Sequence, residues 1–215
     1  MFYSEIIGTG GYVPERIVKN TELENIMETS DQWIKTRTGI SERRISTGDT
    51  TTHIAVKAAQ RAIEDANINP QEIDLVILAT ITPDFFTPAT ACLVQAELEL
   101  KNVTSFDLSA GCTGFIYGIQ IADQFIKTGE SRCALVIGAE VLSKILNWND
   151  RNTCVLFGDG AGAAVLKKSK YPGVISTYTA SQGDLKGYLN IPAVPLSNPF
   201  LLGEYPEEDC QNNSQ

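Results

Sequence analysis

The chain has one histidine, His53, and its five cysteines, Cys92, Cys112, Cys133, Cys154 and Cys210, include no C-x-x-C pair. Metal centres built on histidine and cysteine need clustered ligands at short spacing, so no zinc site is expected. An odd, scattered set of cysteines equally gives no disulfide framework. Positive charge is also scarce: 17 Lys and Arg stand against 26 Asp and Glu, a formal charge of -9. A nucleic-acid partner, which requires clustered basic residues, is therefore not expected. Nowhere does the sequence hold the ~18 consecutive apolar residues of a membrane-spanning helix. The start, MFYSEIIGTGGYVPER, lacks the basic and then apolar pattern of a secretory leader. A cytoplasmic protein with no membrane partner is expected.

What is present suits one sizeable core, with 43% hydrophobic and 20% charged residues over 215 positions. Thr51 to Asn67 places Ile54, Ala55, Ala58, Ala59, Ala62, Ile63 and Ala66 at helical spacing, with threonines available to cap its start. Asp74 to Ile81 (DLVILATI) is a short apolar run without alternation, the pattern of a strand covered on both faces. Prolines 83 and 88 break the pattern before a helix within Ala89 to Leu100 and a second strand, Val103 to Ala110. A longer helix, Thr113 to Thr128, stops at Gly129, and a third strand begins at Cys133. This alternation predicts an α/β fold with a mostly parallel sheet flanked by helices. After Arg151 the run NTCVLFGDGAGAAVL reads as a hairpin through Gly158-Asp159-Gly160, and Pro192 to Gln215 reads as loop. The glycines of FGDGAGA lack both the Lys-Ser/Thr of a P-loop and a dinucleotide-binding context, so Gly158, Gly160 and Gly162 read as turn and packing glycines.

One short stretch, DLSAGCTGF from Asp107 to Phe115, sets a cysteine between two glycines where strand gives way to helix. There the sulfur of Cys112 lies near a helix N-terminus, whose unpaired N–H groups and macrodipole favour an anion. Gly111 and Gly114 let a substrate carbonyl approach the backbone, and the Cys112 N–H can serve as an oxyanion donor. That is a nucleophile's setting. A small apolar cysteine packed in a core is the competing reading, the one that fits Cys92, Cys133 and Cys154, and the residue pattern alone leaves both open for Cys112.

DLSAGCTGF occurs with IIGTGGYVPER, TSDQWIKTRTGISERR, TITPDFFTPATACLVQ and DRNTCVLFGDGAGAAVL. In that order these blocks resemble β-ketoacyl-acyl-carrier-protein synthase III, the initiating condensing enzyme of bacterial fatty-acid synthesis. The resemblance covers the chain to about Pro192. It implies a thiolase-like layered fold built from two similar halves, of which residues 1–170 are the first, with 171–215 starting the connection to a second. It also implies a homodimer. Cys112 is then the nucleophile that takes an acyl group from an acyl-CoA primer, after which malonyl-acyl-carrier-protein decarboxylates and condenses with it. No tightly bound cofactor is implied; the CoA thioester is a substrate.

Further residues carry over by the same resemblance. Trp33 and Arg151 match the pair that sandwiches the CoA adenine, Arg37 a residue that meets CoA phosphate, and Thr29 a nearby polar contact. Read without the family, Trp33 is a core anchor and Arg37 a solvated helix charge. The acyl pocket is expected at Phe86, Thr87, Leu142, Phe157 and Leu189. Thr87 departs from the large aromatic often found there, which suggests longer or branched primers. His53 is not where the family's catalytic histidine lies and reads as structural or exposed. The sequence stops before that histidine and its asparagine, so an incomplete enzyme with at most slow self-acylation is expected. Two rival readings stay open: a same-fold acyltransferase of secondary metabolism, and a non-catalytic partner of a second subunit.

Overall fold

Gly8 and Gly10 determine how closely the longest helix lies on the sheet. A Cβ on Gly8 would sit 2.3 Å from the backbone nitrogen of Ala66, and one on Gly10 2.3 Å from the carbonyl oxygen of Ala58. No side chain fits there, so β1 (Tyr3–Tyr12) and α3 (Thr51–Ala66) meet backbone to backbone. The helix answers with its own small residues: Ala55, Ala58, Ala59 and Ala62 are completely buried beside Ile54. Thr50 caps its start by accepting a hydrogen bond from the His53 N–H, and Asn67 ends it in the left-handed conformation.

The computed structural model describes residues 2–183 and 186–194. A first compact unit, Met1–Thr177, carries the sheet; in a second, Tyr178–Gln215, the described residues form no helix or strand. After β1 come β2 (Ile17–Lys19), α1 (Asn20–Leu23), α2 (Asp31–Thr38) and β3 (Glu42–Arg44), which make a small flanking lobe in which β2 and β3 pair. Next are α3, β4 (Leu75–Ala79), α4 (Thr90–Glu97), β5 (Thr104–Leu108), α5 (Gly114–Thr128), β6 (Cys133–Val141) and β7 (Asp159–Ser169). The main sheet has the order β1-β7-β6-β4-β5. β4 pairs in parallel with β5 and β6, whereas β7 is antiparallel to both β6 and β1, so β7 alone opposes the common direction. The layered α/β arrangement expected from the alternating periods is present. Every residue of β4 is buried, because α3 covers one face and α5 the other.

The expected hairpin in NTCVLFGDGAGAAVL does not form. Cys154–Leu156 is a single 3-10 turn, and Cys154 and Val155 pack with Leu23 and Ile34 of the small lobe. The strand begins only at Asp159, whose carboxylate accepts hydrogen bonds from the Ser46 N–H at 2.7 Å, the Ser143 N–H at 2.9 Å and the Ser143 hydroxyl at 2.6 Å. Those bonds start β7 beside the end of β6, and its eleven residues then fill the slot between β6 and β1. Gly160 and Gly162 are therefore strand residues rather than turn residues. β1 had no counterpart in the sequence reading, because its glycines hide an apolar pattern. Apart from residues 192–194, the loop expected over Pro192 to Gln215 lies outside the described residues, as does Cys210.

Gly10→Ala is expected to lower the unfolding free energy by about 1–3 kcal/mol, the usual cost of overpacking, whereas Gly162→Ala, with open space at its Cβ, changes it by less than about 0.5 kcal/mol. Urea unfolding of the two variants measures the difference. Coincident midpoints would show that α3 does not depend on the glycine contact.

Candidate active site

β5 delivers the chain to a 3-10 turn, Gly111–Thr113, in which Gly111 has φ +52° and Cys112 is exposed. The left-handed glycine reverses the backbone within one residue, and α5 starts immediately afterwards. The Thr113 hydroxyl donates to the Ala110 carbonyl at 3.0 Å and does not cap the helix, and the Gly114 N–H donates to the Gly111 carbonyl. Cys112 thus stands at the end of a fifteen-residue helix dipole. Gly114 and Gly118 seat that helix: a Cβ on Gly118 would lie 2.8 Å from Val136 Cγ1 and one on Gly114 2.9 Å from Ala79 Cβ.

Carboxylates tie down the loops at the carboxyl ends of β4, β5 and β6. Asp107 of β5 accepts the Thr90 and Ala91 N–H groups, each at 2.7 Å, replacing the cap that Ala89 cannot supply to α4. Glu140 of β6 accepts the Ile81 N–H at 2.9 Å and the hydroxyls of Thr80 and Thr82. Asp84 takes the Thr51 and Thr52 N–H groups at the start of α3, and Lys144 reaches the Thr82 carbonyl at 2.7 Å and Asp84 at 3.7 Å. Burial opposes ionisation of Asp84, but hydrogen bonds from Thr52 and Thr51 and the charge of Lys144 outweigh it and hold the carboxyl below its usual value. The carboxyl edge of parallel strands is where α/β sheets bind ligands. The sequence reading passed over these anchors, although an acidic residue near each strand's end was the available signal.

The other described cysteines differ from Cys112. Cys133 and Cys154 are buried, and burial raises both thiols, Cys133 to about 11. Cys92 is half-buried with its sulfur 3.7 Å from the Ser105 carbonyl. His53 is a partly exposed surface residue 3.4 Å from Asp49. Among the described residues no cluster of His, Cys, Asp and Glu could hold a metal, and no helix is long and apolar enough to cross a membrane.

Trp33, Arg37 and Arg151 come together. The Ser30 hydroxyl accepts the Trp33 N–H to start α2, and fully buried Ile34 anchors that helix in the small lobe. The Arg37 guanidinium carbon lies 4.3 Å from the centroid of the Trp33 ring and that of Arg151 5.0 Å. Arg151 also donates to the Glu28 carbonyl at 2.6 Å. The neighbouring Thr29 hydroxyl is buried without a hydrogen-bond partner. The residues read as an acyl pocket differ in exposure. Phe86 is 90% exposed and Thr87 is exposed on the loop after β4, Leu142 and Phe157 are half-buried beside 3-10 turns, and Leu189 is 78% exposed within the second unit. A shallow, open depression lies on the α5 side of the sheet between Ile6, Phe115 and Gly138.

Iodoacetamide at pH 8 is expected to alkylate Cys112 while leaving Cys133 unmodified, since a thiol titrating near 11 is only about one part in a thousand thiolate there. Peptide mapping checks this. Equal labelling of Cys112 and Cys133 would contradict the exposure difference.

Comparison with known proteins places this geometry. Residues 106–183, which include Cys112, match the family model for 3-oxoacyl-[acyl-carrier-protein (ACP)] synthase III. β-Ketoacyl-[acyl-carrier-protein] synthase III of Clostridium acetobutylicum is 56% identical over 196 residues, 91% of this chain and 60% of that protein. The crystal structure of 3-oxoacyl-[acyl-carrier-protein] synthase III from Aquifex aeolicus superposes with a TM-score of 0.77 at 56% identity, covering 78% of this chain and 55% of that one. The priming β-ketosynthase of the R1128 polyketide pathway also superposes with a TM-score of 0.77, at 40% identity over 79% of this chain and 51% of its own. The chain spans about three fifths of the length of the curated relatives it matches. Over that length, in sequence and in fold, it carries the features of the β-ketoacyl-[acyl-carrier-protein] synthase III family.

Proposed function

We propose that the protein acts in the initiation of fatty-acid synthesis as an acyltransferase in which Cys112 accepts an acyl group from an acyl-CoA. The observation that carries this reading is the exposed Cys112, set by the left-handed Gly111 in the turn that leads into α5. The Cys112 thiolate attacks the thioester carbonyl, and the charge formed on oxygen meets the Cys112 N–H. The tetrahedral adduct collapses by breaking the bond to the CoA sulfur, which leaves as thiolate and takes a proton from solvent. In the second half-reaction malonyl-acyl-carrier-protein loses CO2, the resulting carbanion attacks the acyl carbon, and the Cys112 thiolate is released with a 3-oxoacyl-carrier-protein.

Trp33, Arg37 and Arg151 receive the nucleotide end of CoA. The Arg151 guanidinium rests on the indole, 5.0 Å from its centroid, and it moves aside as an adenine stacks between the two, while the cations meet phosphate. The unpartnered Thr29 hydroxyl is available as a further polar contact. Phe86, Thr87, Leu142 and Phe157 face the acyl group once the site is completed in a cytoplasmic homodimer, with Thr87 admitting longer or branched primers. No tightly bound cofactor takes part. The likeness to a priming β-ketosynthase at 40% identity favours one second reading, transfer to a polyketide starter by the same cysteine chemistry.

Intact-mass analysis after incubation with acetyl-CoA, isobutyryl-CoA or octanoyl-CoA tests the proposal. One acyl adduct is expected, absent from Cys112→Ser, and isobutyryl or octanoyl transfer is expected alongside acetyl. An adduct that persists in Cys112→Ser, or no adduct from any of the three, sinks it. Trp33→Ala and Arg151→Ala are each expected to raise the acyl-CoA concentration for half-maximal labelling by about tenfold, as loss of a stacking or charged anchor does. Unchanged labelling curves would remove the CoA role from this pair.

A further inference from the structure

Arg43 of β3 is only 6% exposed, and among the described residues no carboxylate lies within ion-pair distance of it. A buried charge without a counter-ion is costly and persists only where hydrogen bonds hold it. Its Nη1 donates to the Val18 carbonyl at 3.2 Å, and its Nη2 donates to Asn20 Oδ1 at 2.8 Å and the Val155 carbonyl at 3.2 Å, while Nε has no partner. The Asn20 amide in turn donates to Asp31 Oδ1 at 2.9 Å and to the Ile40 carbonyl at 2.7 Å, gripping α2 at its first residue and just past its last. Val155 belongs to the turn that follows Arg151, which is stitched together by the Cys154 N–H to the Asp150 carbonyl at 3.1 Å.

We propose that Arg43 is a positioning residue: through Asn20 on one side and Val155 on the other, it sets the gap between the Trp33–Arg37 helix and the Arg151 turn. This rests on the reading of that gap as the seat of a CoA nucleotide. A rigid inner support for a ligand-binding pair is what such sites require. A lysine has charge but no planar fork, and cannot bond all three acceptors in this geometry.

The test uses the chain with Trp148→Phe, so that Trp33 is the sole tryptophan. Three quantities are measured: acrylamide quenching of Trp33 without ligand, binding of adenosine 3′,5′-bisphosphate from Trp33 fluorescence, and the rate of Cys112 alkylation. Arg43→Met and Asn20→Ala are expected to raise both the quenching constant and, by about tenfold, the dissociation constant, with Cys112 alkylation within about twofold of the parent. Arg43→Lys is expected not to restore either, and Lys35→Ala, which breaks only the Asp31–Lys35 pair, to change neither. Should Arg43→Met fail to fold, the surface variant Asp31→Ala carries the test, with a smaller change in the same direction. Unchanged quenching and binding, or an equal loss of Cys112 reactivity, would overturn the proposal. If the parent chain binds no bisphosphate, the CoA reading falls, and quenching alone decides whether Arg43 positions Trp33.

Discussion

The placement of Cys112 depends on how closely α5 sits on β4 and β6. With Gly118 against Val136 and Gly114 against Ala79, the helix axis lies as near the sheet as backbone allows. Its first turn therefore opens at the carboxyl edge of the parallel strands, where β5 ends and the loops after β4 and β6 are held by Glu140 and Lys144. Larger residues at 114 or 118 would lift α5 and carry the cysteine away from those loops. The same close packing recurs on the opposite face, where Gly8 and Gly10 admit the alanine face of α3. Two helices drawn tightly onto one sheet hold both ends of the turn between β5 and α5, the rigid base that the nucleophile proposed at Cys112 requires.

A second constraint operates in the small lobe. Its core of Leu23, Ile34, Cys154 and Val155 is too small to hold several short elements by burial alone. Buried hydrogen bonds add to it, with Arg43 and Asn20 joining β2, α1, α2 and the turn at Cys154–Leu156. Directional bonds fix angles as well as distances, which apolar contact does less well. The indole and two guanidiniums on the lobe's surface inherit that geometry.

Much of the fold was legible in the sequence wherever side-chain period carried the information. The alanine stripe of α3, the all-apolar β4, the stop of α5 at Gly129 and the strand starting at Cys133 all read correctly, because burial on one face or on two imposes those periods. β1 escaped because its packing is done by glycines, which carry no hydropathy signal. The false hairpin arose because Cys154–Phe157 is apolar for a different reason: it fills the small lobe's core, and Asp159, anchored by two serines, delays the strand. In the candidate site, the turn at Cys112 was legible from its flanking glycines but the exposure of the thiol was not, since the pattern fitted a packed cysteine equally; the meeting of Trp33 with Arg151 joins residues far apart in the chain and came from resemblance. Arg43 stayed hidden, since nothing local distinguishes a buried arginine from a solvated one.

In the proposed half-reaction CoA departs as Cys112 takes the acyl group. Quench-flow measurement of free CoA thiol after mixing the chain with isobutyryl-CoA tests it most directly. A burst of about one CoA per chain that vanishes in Cys112→Ser is expected, the signature of a covalent half-reaction. CoA release without a burst, or a burst that survives the substitution, would contradict it.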